Sequence, residues 1–449
     1  MKKVITYGTY DLLHQGHLNL LRRAKELGDY LIVGVTSDSF DRERGKLNVR
    51  NNVLERIDAV KATGYADEVI IEEYVGQKID DIQKYNIDYF AIGSDWTGQF
   101  DYLNEYCKVV YLPRTEGISS TLLRAESQRE IRVGIIGTGR IANRFIPEST
   151  CVSGVTIASV FNPDLTEAEQ FAHKHGIKHH TNNLEECFNK TDAVYIASPH
   201  IYHFSQIEQA LQSGKHVLCE IPLALTGDEA KQLYDLAAKK GLVLLEASKT
   251  AHCPAWSHLL SLAKSGIIGD IVDVKASLSR LLPDTCMREF DESQAGGSVT
   301  ELAPLCLMAV IKLLGCNYSD VRFYSKMQGG VDIFTQAQLV FDHAVANITL
   351  GLGVKTEGNL VISGTKGYIL VPSPWWLTNY FEVCYEDINK NKKYFYSYDG
   401  DGLRYEIQEF ASMIFNKRMD SFRLYPNESI AIADIIGKYR SGSKTTILK

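Results

Sequence analysis

Short apolar runs alternate with amphipathic stretches along the first part of the chain. Val4-Ile5-Thr6-Tyr7 reads as a strand closed by a glycine turn, His17 to Leu27 carries leucines at helical spacing, and Tyr30 to Val35 is a strand again. Further apolar runs at Glu68 to Ile71, Tyr89 to Ile92 and Val109 to Leu112 are interrupted by polar helical stretches such as Lys78 to Tyr85. Alternation of this kind predicts a parallel sheet covered by helices on both faces.

Around Ser127-Gln128-Arg129-Glu130 the chain turns wholly polar, and at Arg132 to Ile136 a new apolar strand begins. A second alternating series follows, with strands at Val155 to Phe161, Ala193 to Ala197, His216 to Cys219 and Leu242 to Leu245. From Ile271 to about Val371 the texture changes to alternating strands, among them Ala337 to Phe341, Ala346 to Leu350 and Leu360 to Ile362, which predicts a largely antiparallel sheet. The expected domains are therefore 1–126, 131–250 and 251–449, the last closing with helices. The fold class is α/β: a Rossmann-like domain, a second Rossmann domain, and an α+β open-sheet domain.

Composition narrows this picture. The length of 449 residues needs more than one core, and 45% hydrophobic with 23% charged residues is a globular balance. A formal net charge of −7 excludes a global basic field for nucleic acid, so any phosphate binding must be local. The apolar stretch after Met1-Lys2-Lys3 is broken by Asp11 and His14, unlike a signal peptide, and no run approaches the ~18 apolar residues of a membrane span. A cytoplasmic protein without membrane insertion is expected. The nine cysteines form no CxxC pair, which points to buried thiols rather than disulfides or zinc.

Two segments carry phosphate chemistry. Gly8-Thr9-Tyr10-Asp11-Leu12-Leu13-His14-Gln15-Gly16-His17 closes the first strand and opens the first helix, where unsatisfied N–H groups point at an anion. His14 and His17, three apart, share a helix face and can donate to a phosphoryl group; a structural helix cap is the alternative. Arg114-Thr115-Glu116-Gly117-Ile118-Ser119-Ser120-Thr121 follows the last strand and offers a second helix start, with Arg114 as a planar cation.

This pair of motifs, with Gly93-Ser94-Asp95-Trp96 between them, resembles the glycerol-3-phosphate cytidylyltransferases over nearly all of residues 1 to 125. The resemblance implies that His14 and His17 are catalytic, stabilising the α-phosphate of CTP during in-line attack. It implies nucleotide contacts from Thr9, Tyr10, Gly16, Asp95, Thr115, Ser119 and Ser120, with Arg114 and the loop lysine Lys46, two residues after Arg44, as further catalytic cations. Lys78 matches an acceptor-phosphate residue, and Asp11 is the candidate ligand for a Mg²⁺ ion accompanying CTP. Three positions depart from the family on the acceptor side: Gln15, Gly64 and Val75. Transfer of CMP to glycerol phosphate or a related small polyol phosphate, with release of pyrophosphate, is the expected reaction.

The second chemistry begins at Val133-Gly134-Ile135-Ile136-Gly137-Thr138-Gly139-Arg140-Ile141-Ala142, a strand, GxGxxA, helix sequence suited to a dinucleotide pyrophosphate. The next strand ends Phe161-Asn162-Pro163-Asp164, without the acid that usually takes the NAD ribose, which leaves NAD and NADP open. With Ser198-Pro199-His200, His203 and Gly214 to Ala224, residues 131 to 440 resemble the Gfo/Idh/MocA oxidoreductases. The resemblance implies cofactor contacts from Gly137, Thr138, Gly139, Arg140, Ile141, Asn162, Ser198, Pro199, His203 and Glu220. The family's Glu-Lys-Pro reads Glu220-Ile221-Pro222 here, and Leu305 stands near its usual His or Tyr. Isoleucine moves no proton, so either Glu301 or a nearby histidine supplies one, or the second half is a cofactor-binding or oligomerisation scaffold. Reduction of a small ketose or its phosphate would make the polyol that the first domain activates, feeding a capsule or teichoic-acid-like polymer. A homo-oligomer is expected.

Overall fold

Two parallel sheets and one mixed sheet organise the described residues. The computed structural model describes residues 1–43, 45, 46, 49, 51, 53–74, 76–113, 130–282, 287–397 and 400–449. One compact unit is built from Met1–Glu130; the other is built from Ile131–Thr150, Val155–Tyr396 and Gly400–Lys449.

In the first unit β1 (Lys3–Gly8), β2 (Tyr30–Thr36), β3 (Glu68–Glu72), β4 (Tyr89–Gly93) and β5 (Lys108–Leu112) form one parallel sheet in the order β3-β2-β1-β4-β5. Helix α1 (Gln15–Lys25) follows β1, α2 (Asp38–Glu43) and α3 (Val53–Ala62) follow β2, and α4 (Gln77–Tyr85) follows β3. Successive side chains of a strand face opposite ways, and the central strand shows the result. Val4 joins Leu21, Val33 and Val60 in one core, while Ile5 joins Ile32, Ile82 and Phe90 in the other. Each fully buried aliphatic side chain contributes about 1.5–3 kcal/mol.

The second unit begins with β6 (Ile131–Ile136), β7 (Val155–Phe161), β8 (His180–Thr181), β9 (Ala193–Ile196), β10 (His216–Glu220) and β11 (Leu244–Ala247), paired in the order β11-β10-β9-β6-β7-β8. Between them run α5 (Arg140–Ser149), α6 (Leu165–His175), α7 (Leu184–Asn189), α8 (His203–Gln212) and α9 (Gly227–Lys240). Helices α10 (Lys249–His252), α11 (Pro254–Lys264) and α12 (Ser298–Leu314) lead into and cover a nine-stranded sheet. Its strands are β12 (Ile271–Ser279), β13 (Asp320–Gln328), β14 (Val331–Val340), β15 (Val345–Gly351), β16 (Leu360–Gly364), β17 (Tyr368–Val371), β18 (Tyr380–Cys384), β19 (Lys392–Phe395) and β20 (Thr445–Ile447). They are ordered β19-β18-β17-β16-β12-β15-β14-β13-β20. Helices α13 (Leu403–Phe415) and α14 (Pro426–Arg440) return to the Rossmann part. There α14 packs on α9 and α12, and Arg404 of α13 is bound to Glu148 of α5 by two hydrogen bonds of 2.7 and 3.0 Å. Most of the sequence from Ile131 onward falls in one compact unit.

Three local differences from the sequence expectation have physical causes. Helix α1 starts at Gln15, two residues early, because the His14 side chain caps it by accepting the Gly16 N–H at 3.1 Å. Strand β11 starts at Leu244 rather than Leu242, because Gly241 ends α9 in a left-handed turn whose closing bonds reach to Leu242. The open sheet is mixed: β12 pairs parallel with β15 and β13 with β20, while its other pairs are antiparallel. Among the described residues one stretch, Glu292–Leu314, is long and apolar enough to cross a membrane, and 89% of its most apolar 18-residue window is buried.

Gly34 of β2 lies opposite Tyr7, and a Cβ there would sit 2.2 Å from the Tyr7 ring. Gly34→Ala is expected to destabilise the first unit by roughly 1–3 kcal/mol through overpacking. Urea unfolding followed separately for the two units tests this; an unchanged first transition would refute it.

Candidate functional site

In a parallel sheet the ligand crevice opens at the carboxyl ends of the strands, where the strand order reverses. In the first unit that point lies between β1 and β4, and the Gly8 to Gly16 loop leaves β1 there. Tyr10 and Leu12 hold positive φ values of 53° and 47°, so the loop doubles back and delivers His14 to the start of α1. The rings of His14 and His17 stack with centroids 4.0 Å apart, and Tyr10, buried beneath, meets His17 edge-on at 5.5 Å. Because His14 Nδ1 accepts the Gly16 N–H, the neutral ring carries its proton on Nε2, the atom able to donate to an anion. The Lys46 ammonium donates to the Thr9 hydroxyl at 2.8 Å, and Thr9 is also within 3.0 Å of Asp41.

The structure therefore gathers Thr9, Tyr10, His14, Gly16, His17 and Lys46 at one strand end. Asp11 is 1% exposed, and its carboxylate accepts the Asn51 N–H at 3.0 Å. Asp95 is exposed in the turn after β4. Lys78 is ion-paired with Glu72 and lies over the Tyr7 ring, 4.7 Å from its centroid. Gln15 and Asn19 bond along the outside of α1, and Gly64 adopts a positive φ of 71°. Arg44, Val75, Arg114, Thr115, Ser119 and Ser120 lie outside the described residues. Among the described residues no three His, Cys, Asp or Glu side chains form a metal cluster. Mg²⁺ in nucleotide sites leans on one or two carboxylates and the phosphates themselves, so such a site needs no protein cage.

Sequence reasoning missed Arg56. Its fully buried guanidinium donates to the carbonyls of Thr9 and Thr36 at 2.8 and 2.9 Å, to Asp41 at 3.2 Å and to Asp38 at 2.5 Å, while Nε reaches the Asn51 carbonyl at 2.9 Å. It ties the histidine loop to the Lys46 loop. A lone arginine in an ordinary amphipathic helix gives no local signal of that.

In the second unit the reversal lies between β6 and β9, and a cleft of about 900 Å³ opens there. That is the size of a small-molecule or cofactor site. Gly137 has a φ of 102°, and a Cβ on it would lie 2.7 Å from the Ala197 carbonyl, so only glycine allows β6 to turn beside β9. Thr138, Gly139, Arg140 and Ile141 continue the cleft wall at the start of α5. Asn162 donates to the Thr138 hydroxyl at 2.6 Å, whereas Asp164 caps α6 by accepting the Thr166 N–H at 2.8 Å. The residue facing the glycine loop from β7 is thus an amide, and the nearby acid is committed to its helix.

Ser198, Pro199, His203, Glu220 and Ile221 line the same cleft. His203 sets its Nε2 and Nδ1 2.9 and 2.8 Å from the Ser198 and Pro222 carbonyls, and because burial lowers its pKa the neutral ring donates to one of them. Glu220 accepts the Tyr195 hydroxyl at 2.5 Å, and burial pushes its carboxyl up to about 7. Glu301 is held by Arg288 through contacts of 2.9 and 3.1 Å, with His200 Nδ1 at 3.6 Å. Burial raises the Glu301 carboxyl and, with the charges of His203 and Arg288, keeps His200 neutral. Leu305 also faces the cleft and carries no proton.

A cytidylyltransferase-like family model matches residues 5–126, and the model of an oxidoreductase family with an NAD-binding Rossmann fold, Gfo/Idh/MocA, matches residues 131–248. Glycerol-3-phosphate cytidylyltransferase of Bacillus spizizenii is 54% identical over 131 residues, 28% of this chain and 97% of that protein. Trans-1,2-dihydrobenzene-1,2-diol dehydrogenase of Oryctolagus cuniculus is 28% identical over 325 residues, 70% of this chain and 98% of that protein. A 3-ketoreductase from Actinomadura kijaniata, solved with NADP and TDP-benzene, superposes with a TM-score of 0.64 at 21% identity, covering 71% of this chain and 100% of that one. It speaks for the fold alone.

The raised Glu220 carboxyl has a measurable sign. It keeps its proton when folded up to about 7, against an ordinary 4.5, so the stability it contributes is complete below 4.5 and is lost as pH rises through about 7. Glu220→Gln is expected to flatten the fall in melting temperature of the second unit over that window. Identical slopes in variant and wild type would contradict the assignment.

Proposed function

The chain belongs to the cytidylyltransferase-like family through its first unit and carries an oxidoreductase of the Gfo/Idh/MocA family in its second, and on that premise we propose a linked pair of reactions. The first unit transfers CMP from CTP to glycerol phosphate or a similar small polyol phosphate. The second reduces a small ketose or ketose phosphate with NAD(P)H and so supplies the polyol. The product would feed a capsule or teichoic-acid-like polymer.

The stacked His14–His17 pair at the start of α1 carries the first half of this reading. A polyol phosphate oxygen attacks the α-phosphorus in line and pyrophosphate leaves. Phosphoryl transfer asks little covalent chemistry of a protein and much charge stabilisation. His14 Nε2 and the His17 ring donate to the α-phosphate oxygens as charge builds there, and the N–H groups of the first turn add to this. Lys46, already on Thr9, and Arg114 answer the charge of the departing phosphates. Thr115, Ser119 and Ser120 hold the nucleotide with Tyr10 and Gly16. Mg²⁺ enters with the triphosphate; Asp95 is exposed toward solvent, whereas Asp11 would have to turn from Asn51 to ligate it. Lys78 meets the acceptor phosphate by exchanging its Glu72 partner for it.

For the second half, the residues around the cleft fit an NAD(P) pyrophosphate: Gly137 leaves room, Gly139 and Arg140 open α5, and Asn162 carries no charge that would repel a 2′-phosphate. When bound, this cofactor supplies hydride. Arg288, Glu301 and His200 present a polar wall to the carbonyl substrate. Ile221 favours a second reading, in which this unit binds cofactor without turnover and serves assembly. The outer face of the nine-stranded sheet, with Tyr324, Val345, Tyr368 and Phe395 exposed, is the surface proposed for self-association.

Incubation with CTP, Mg²⁺ and a panel of polyol phosphates should yield a CDP-polyol identified by mass, and His17→Ala should slow its formation about 10²–10³-fold. No pyrophosphate release with any acceptor would end the cytidylyltransferase reading. Loss of NAD(P)H absorbance with dihydroxyacetone or its phosphate is expected for the second unit. Cofactor binding without turnover across a broad carbonyl panel would select the scaffold.

A further inference from the structure

We infer that Lys249 is the catalytic acid of the second unit, replacing from the neighbouring strand the lysine missing at Ile221. The inference rests on the oxidoreductase reading of that unit. Strands β10 and β11 are adjacent and parallel, and their last paired residues are Glu220 and Ala247. Residue 221 is one step past that register and residue 249 is two steps past its partner. Both residues lie just past the carboxyl ends of these neighbouring strands, and both line the cleft.

Lys249 is anchored for this role. It opens α10, is half-buried, and its Nζ donates to the Asp401 carbonyl at 2.9 Å ahead of α13. Two buried carboxyl groups act on it electrostatically, Glu220 and Glu406, and Glu220 itself lines the cleft. The other protonic groups of the cleft are less suited. Glu301 is ion-paired with Arg288, which donates to its Oε2, the buried neutral His200 faces that same carboxylate, and His203 lies between two carbonyls, to one of which its single N–H donates. Arg280 is turned to Glu289. An ammonium on a short, tethered helix can present a proton without breaking an ion pair.

The step balances. As hydride passes from the reduced nicotinamide to the carbonyl carbon, Lys249 Nζ gives its proton to the carbonyl oxygen, whose π pair becomes the new O–H bond. The products are an alcohol and the oxidised nicotinamide. The neutral amine then regains a proton from water at the cleft mouth.

The test uses the full chain. Lys249→Met is expected to reduce NAD(P)H oxidation in kcat by about 10²-fold or more, the scale of a lost general acid, with NAD(P)H affinity by fluorescence and melting temperature within threefold and a few degrees of wild type (about). Adding Ile221→Lys to Lys249→Met should recover part of the rate, which loss of a merely structural lysine would not allow. Independently of activity, reductive methylation of Lys249 read by mass spectrometry should slow when NAD(P)H and a polyol phosphate are present. A wild-type protein that oxidises NAD(P)H while Lys249→Met matches it, or unprotected methylation in a cofactor-binding protein, overturns the inference alone. A wild-type protein that neither binds nor oxidises NAD(P)H overturns it together with the oxidoreductase reading.

Discussion

Parallel strand pairing is the constraint from which both sites follow. Parallel neighbours send their carboxyl ends to one edge, and a reversal of strand order leaves a gap there between two loops that diverge. In the first unit the gap beside β1 receives the histidine loop; in the second the gap beside β6 receives the glycine loop. Each loop feeds directly into a helix whose first N–H groups have no partner within the helix. An anion at these places meets donors that the fold must leave open in any case. The chemistry of the two units then diverges through side chains alone: paired imidazoles in one, a glycine that admits close approach in the other.

Holding such loops in place falls to buried charge. Arg56 shows how far one side chain can reach, since its guanidinium meets carbonyls and carboxylates from four separate stretches of the first unit. A planar cation with five donors satisfies that many acceptors where an ammonium could not. In the second unit Glu148 and Arg404 serve α5 in the same way, and removing one partner of so buried a pair leaves a charge without compensation. Glu220 and Glu406 take the other course: burial outweighs the donors and the Lys249 charge beside them and raises both carboxyls.

What could be read from the sequence was local. The loops Gly8 to His17 and Gly137 to Ala142 are contiguous, and strand–turn–helix context is visible in the hydrophobic pattern around them. The two parallel sheets were legible for the same reason, because buried parallel strands are uniformly apolar. Arg56 and Lys249 were not, since their meaning lies in register and in contacts with residues far along the chain. Lys249 joins the cleft only where β10 and β11 run side by side, a pairing that no spacing encodes. The parallel pairing of β12 with β15 inside an otherwise antiparallel neighbourhood was hidden likewise, as alternation reports which face is buried and not which way a neighbour runs.

The bond between Glu148 and Arg404 spans 256 residues of sequence. During synthesis the first unit can complete its sheet as soon as its own strands have emerged. The glycine-loop helix of the second must wait, with an acid facing its interior, until almost the whole remaining chain has been made. Long-range closure of this kind is slow, and the half-made second unit is the stage at which this protein would most depend on chaperones.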